Sequence, residues 1–148
     1  MPRRIFRDEK YENIYQKLCE GEDAIFNQLK DVFLMAACIG YKVGIRTKLT
    51  KRGKDFPWSV FNGDTDESII NAIALAESND VKILIDEQEQ GHDDRVTIIE
   101  EYANTGIEYL KVEVLDRGGH PVENLLTYIN SQQNKGEDDI YNLDNFMI

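Results

Sequence analysis

The chain has 148 residues, 41% of them hydrophobic, and a formal net charge of −11, enough apolar content for one sizeable core. That charge argues against a generic nucleic-acid binder, whose whole domain is normally basic, and two isolated cysteines exclude a disulfide framework. The charge is nonetheless divided: residues 1–54 hold 12 of the 17 Lys and Arg against 7 acids, and the rest hold 5 against 21, a balance of +5 against −16.

Taken from the N-terminus, Met1-Pro-Arg-Arg-Ile-Phe-Arg is basic with no apolar stretch behind it, so it does not read as a secretory signal. Residues 1–9 are expected as a basic arm before a helical domain over 10–131. Tyr11, Ile14, Tyr15 and Leu18 follow the i, i+3, i+4, i+7 template and predict a first helix from Lys10 to Glu20, interrupted at Gly21. Ile25, Phe26, Leu29, Val32, Phe33, Ala36 and Ala37 predict a buried second helix from Glu22 to Ile39, with Gly40 and Gly44 ending it. Its greasy stretch, Val32 to Tyr41, is far too short to span a bilayer. Cys19 and Cys38 lie beside apolar helical patterns and read as reduced core thiols of a cytoplasmic protein.

Residues 42–63 break the periodicity with Gly44, Gly53, Pro57 and Gly63, which predicts a loop, with room for a short strand pair. Lys42, Arg46, Lys48, Lys51, Arg52 and Lys54 fall within thirteen acid-free residues of it, and Phe56, Trp58 and Phe61 supply apolar anchors that pin it to the helices. Those six cations are the candidate contact set. Their side chains suit phosphate oxygens of duplex DNA, and equally an acidic protein surface or the acidic remainder of this chain.

Asp64 and Glu67 have capping-box spacing before Ile69, Ile70, Ile73 and Ala76, predicting a third helix from Thr65 to Ser78. Val81 to Glu87 is read as a short helix, although its composition also suits a strand. After a loop at Gln90-Gly91-His92, Asp93 or Asp94 is expected to cap a long helix carrying Val96, Ile99, Ala103, Ile107 and Leu110. Asn104-Thr105-Gly106 in its middle predicts a kink or a close helix contact. Gly118-Gly119 stops it, and Pro121 opens a last amphipathic helix with Val122, Leu125, Leu126 and Ile129. Residues 132–148 form an acidic segment expected to be mobile alone and able to dock on a partner. The fold class is therefore a mainly α, single compact domain of five to six helices with a basic central loop.

Asp86, Glu87, Glu89, His92, Asp93 and Asp94 have the residue types of a divalent-metal site, but no Glu-x-Lys follows in the manner of a restriction-type nuclease. His92 and His120 are the only histidines, so no His-x-x-x-His pair exists, and the cluster reads as an acidic turn before a helix. With no Gly-x-Ser-x-Gly elbow and no phosphate-cradling Gly-rich loop, the expectation is a non-enzyme with no catalytic residues, metal or cofactor.

Four stretches carry a family resemblance: Lys10-Tyr11-Glu12-Asn13-Ile14-Tyr15, Lys30 through Lys42, Pro57-Trp58-Ser59-Val60-Phe61, and Ile99-Glu100-Glu101-Tyr102-Ala103-Asn104-Thr105-Gly106-Ile107. In order and spacing they resemble the Dnd system-associated, or DNA phosphorothioation-associated, protein 4 family of small bacterial proteins, over about residues 10–112. The resemblance implies a setting beside phage-defence and DNA modification or restriction genes, and it carries over no catalytic residue. Residues and resemblance together point to an accessory or scaffold subunit of an anti-phage assembly. It would bind partner proteins, with double-stranded DNA as a further candidate ligand, with no membrane role and with homo-oligomers allowed. The alternatives are a stand-alone DNA-binding regulator and a small metal-dependent nuclease.

Overall fold

A computed structural model of the chain describes residues 3–22, 24–85 and 89–146, with side chains described as far as 134 apart from that of Glu89. It is predominantly helical: α1 (Glu12–Cys19), α2 (Leu29–Val43), α3 (Asp66–Ser78), α4 (Glu89–Leu110) and α5 (Pro121–Phe146). Strands β1 (Ile5–Asp8) and β2 (Arg52–Phe56) form one antiparallel pair, with Ile5 opposite Phe56 and a register shift that sets Asp8 opposite Arg52. The chain falls into two compact units, Met1–Tyr109 and Leu110–Ile148.

In the first unit, Tyr15, Leu18, Val32, Phe33, Ile70, Val96, Ile99 and Ile107 are buried, giving α1, α2, α3 and α4 a shared apolar core. The apolar run of the second helix begins at Ile25, yet α2 begins only at Leu29. Ile25 N and Phe26 N both donate to Leu18 O, at 2.9 and 3.0 Å, so this stretch folds back over the end of α1 instead of starting a helix. At its other end α2 runs through Gly40 and stops at Gly44, whose φ of 82° is the left-handed cap conformation glycine adopts without penalty.

Gly40 lies inside α2 because the helix needs it there. A β-carbon on Gly40 would sit 1.9 Å from Tyr102 O, and one on Gly106 would sit 1.7 Å from Ala36 O. The two helices therefore cross backbone to backbone. Of the two options read from Asn104-Thr105-Gly106, the close contact is the one present, and α4 continues as one element to Leu110.

The other differences have local causes. The expected capping box at Asp64 and Glu67 does not form: Asn62 Oδ1 accepts from Asp64 N at 2.8 Å ahead of the helix, and Glu67 accepts from Trp58 Nε1 at 2.6 Å. Residues 81–84 form a 3-10 turn capped by Asp80, which accepts from Lys82 N at 3.0 Å. Gln90-Gly91-His92, expected as loop, belongs to the start of α4, where a β-carbon on Gly91 would lie 3.2 Å from Lys82 O. Strand β2 finds its partner outside the central loop, in residues 5–8 of the expected N-terminal arm, of which Ile5, Arg7 and Asp8 are buried.

The second unit holds a π-helical turn, Lys111–Leu115, followed by α5. Asn124 ties the two, its Nδ2 donating to Val114 O at 3.0 Å, with Val114 and Leu125 buried. The helical backbone of α5 continues to Phe146 through the acidic segment. The side chains of Ile140, Tyr141, Leu143 and Phe146, and all of Met147, lie outside the described residues.

Candidate nucleic-acid and partner interface

Beyond Gly44 the chain carries Ile45 through Lys51 to β2, and most of that path is bonded to α4 or to Asp8 and Glu9. Thr105 Oγ1 donates to Ile45 O at 2.7 Å, Thr47 N donates to Glu101 O at 3.1 Å, and the Thr47 and Thr105 hydroxyls meet at 2.7 Å. Asn104 Nδ2 reaches Thr47 O and Lys48 O, both at 3.2 Å, and Asp8 Oδ2 at 3.3 Å. Asp8 in turn accepts from Thr50 N at 2.8 Å, Thr50 Oγ1 at 2.8 Å and Lys10 N at 3.1 Å, while Glu9 N donates to Lys51 O at 3.0 Å. Buried Asp8, Asn104 and Thr105 thus satisfy a loop whose own sequence holds no periodic structure.

This clamp comes from helical spacing. Glu100 and Asn104, and Glu101 and Thr105, are i, i+4 pairs, which stacks two polar rows along α4. Glu100 faces the outer side of β1, accepting from Phe6 N at 2.6 Å and from Arg3 Nη2 at 2.7 Å. Sequence reasoning read Asn104 and Thr105 only as part of a kink or close helix contact and passed over Asp8. The available signal was Asn and Thr, both weak helix formers, in the middle of a strongly periodic helix.

The clamp divides the six candidate cations. Arg46 donates to Glu101 and Glu77, both at 3.1 Å, and Lys51 pairs with Glu9 at 2.9 Å. Lys42, Lys48, Arg52 and Lys54 are exposed and make no ion pair with described residues; Arg52 lies over the Phe6 ring at 4.8 Å, and the charge of Lys54 acts on Glu12. The arginines of the N-terminal segment are all engaged, Arg3 by Glu100, Arg4 by Asp55, and Arg7 by Glu12 through two 2.9 Å bonds.

Several carboxylates in this framework titrate low. Burial pushes Asp8 up, but hydrogen bonds from Thr50, Lys10 and Asn104 outweigh it and hold the group below the usual carboxylate range. Burial is likewise overcome at Glu12 by Arg7 and Gln16, and at Asp66 by Asn62 N–H and Lys30. Glu77 is lowered chiefly by the Tyr102 hydroxyl, whose own pKa burial and Glu77 raise to about 12. A carboxylate depressed on folding stabilises the native state above its unfolded pKa, near 4, and loses that contribution as pH falls through the folded value. The melting temperature should therefore hold near neutral pH and fall progressively below about pH 5. A flat profile down to pH 3 in thermal melts would remove these groups from the stability of the fold.

Burial raises the thiols of Cys19 and Cys38, both half-buried and free, as expected of unreactive core cysteines. Asp86 and Glu87 of the acidic cluster lie outside the described residues; among those described, no group of three His, Cys, Asp or Glu is placed to hold a metal. No described helix is long and apolar enough to cross a membrane.

Compared with known proteins, residues 4–146 match the model of a family described as DNA sulphur modification system-associated protein 4, in agreement with the resemblance drawn from the residues. No curated protein and no solved structure matches the chain.

Proposed function

Because the chain belongs to the DNA sulphur modification system-associated protein 4 family, we propose that it serves such a system as a non-catalytic accessory subunit. It holds partner proteins in register and presents Lys42, Lys48, Arg52 and Lys54 to DNA phosphates. The observation that carries this reading is the division of the basic segment. Two cations, Arg46 and Lys51, are already paired with carboxylates, and four are exposed without an ion pair to a described residue, beside a backbone bonded to α4 and β1. A pre-ordered loop loses little conformational entropy when it meets a ligand.

Four phosphate contacts on a chain of net charge −11 give weak binding alone, because the bulk charge repels the duplex. The accessory reading therefore expects weak, salt-sensitive affinity from the isolated chain and stronger retention once the partner proteins are present. Fluorescence anisotropy with a short duplex at low salt should give a log–log salt slope of about −3 to −4, reduced by about 1 for each of Lys42→Gln, Lys48→Gln or Lys54→Gln. Lys51→Gln should leave the slope unchanged. Absence of binding even at low salt would turn the four cations toward an acidic protein surface. Tight, sequence-dependent binding by the chain alone would favour a stand-alone regulator.

A further inference from the structure

Behind Arg46 lies a second surface of opposite character. A pocket of about 250 Å³ opens between the end of α3, the 3-10 turn at Val81–Leu84 and α4. Buried Ile83 and Ile98 line it together with Arg46, Glu77 and Asp94. Its volume suits one or two aliphatic side chains. Arg46, the single cation in the lining, is held by Glu77 and Glu101, and the other Glu77 oxygen accepts from Tyr102. Asp94, exposed and contacted by Gln90 Nε2 at 2.8 Å, is the lining carboxylate not spent on a cation.

Exposed apolar side chains adjoin the lining residues along the chain. Of the five large ones among the described residues of the first unit, Val81 (68% exposed) and Ile85 flank Ile83 in the chain, Ile45 precedes Arg46, and Tyr41 packs edge-on against Tyr102; Ile69 has no such link to the lining. A cluster of this kind around a concave, net-negative centre is the signature of a protein interface. The carboxylates repel a nucleic-acid backbone, so this surface complements the four exposed cations instead of extending them.

We infer that the pocket seats a protein partner whose inserted segment places an aliphatic side chain against Ile83 and Ile98 and a neighbouring lysine or arginine against Asp94. The inference rests on the accessory-subunit reading and names the chemistry of the partner contact. Arg46 then joins two tasks, fixing the basic loop on one side and walling the pocket on the other.

The test is site-specific photo-crosslinking of the full chain co-expressed with the other proteins of its system. Val81→p-benzoyl-phenylalanine is the probe and Ile69→p-benzoyl-phenylalanine the control, with gel filtration reporting whether the assembly forms. The expected result is an adduct from position 81 and not from 69, its captured peptide carrying an aliphatic residue within two positions of Lys or Arg. Asp94→Lys, on an exposed side chain, should cut the adduct yield at least tenfold with an unchanged melting temperature. Crosslinks to a second copy of the chain, to DNA or to an acidic segment would overturn the inference. So would an unchanged yield in Asp94→Lys, or no adduct in an assembly that still forms. If gel filtration returns the chain alone, the accessory reading itself falls and takes this contact with it.

Discussion

Gly106→Ala is expected to destabilise the first unit by about 3 kcal/mol, although the same change gains about 1 kcal/mol of helix propensity. The sign is decided by geometry. The added methyl would lie 1.7 Å from Ala36 O, less than half an ordinary contact distance, and its neighbour is a helix backbone that no rotamer change can move aside. The helices must separate, and the side chains packed along the crossing lose contact with it. Gly40→Ala meets Tyr102 O at 1.9 Å and should cost a similar amount. Both changes open the same α2–α4 crossing, so the double variant should lose less than the two single costs added together. Urea denaturation of the full chain measures each, with the midpoint lowered and the slope retained. A Gly106→Ala protein as stable as the parent would mean that the helices do not approach as described.

The residues that make this crossing were partly legible in the sequence. Gly106, in a helix otherwise periodic from Val96 to Leu110, pointed to a local backbone requirement, and close approach was one of its two readings. Gly40 was misjudged as a terminator because its partner, Tyr102, is 62 positions away and a glycine in a strong apolar run looks the same whether it stops a helix or lets another one in. Strand β1 could not be anticipated for a related reason. Ile5–Asp8 is four residues long with two charges among them, and only β2, some 47 positions on, makes it a strand. At the candidate site, composition picked out the six cations as a group but could not sort them. What separates Arg46 from Lys48 is a pair of carboxylates, Glu77 and Glu101, supplied by other helices. Local pattern reaches helix periodicity and turn chemistry; it does not reach which charge is already answered across the fold.

The clamp gives the second large expectation. Asn104→Asp is nearly isosteric, so it leaves packing in place while removing both amide protons and setting a second carboxylate where the Asn104 amide lies 3.3 Å from Asp8 and 3.2 Å from the carbonyls of Thr47 and Lys48. A buried, uncompensated charge of this kind costs about 3–5 kcal/mol, against about 1–3 kcal/mol for Asn104→Leu, which only leaves the acceptors unpaired. The two variants should also differ in pH response. Repulsion between the introduced carboxylate and Asp8 raises the pKa of the introduced group, so it gains a proton as pH falls from 7 toward 5 and the deficit relative to the parent shrinks. The deficit of Asn104→Leu should stay constant over that range. In both, hydrogen exchange at Thr47 N and Thr50 N, which donate to Glu101 O and Asp8 Oδ2, should accelerate before the core amides of α4 do. If the loop is pre-ordered for its ligand, duplex affinity must drop in the same variants with the salt slope unchanged, since Lys42, Lys48, Arg52 and Lys54 are still present and only the cost of arranging them has risen. Faster loop exchange with undiminished affinity would separate the clamp from binding and leave it a purely structural device.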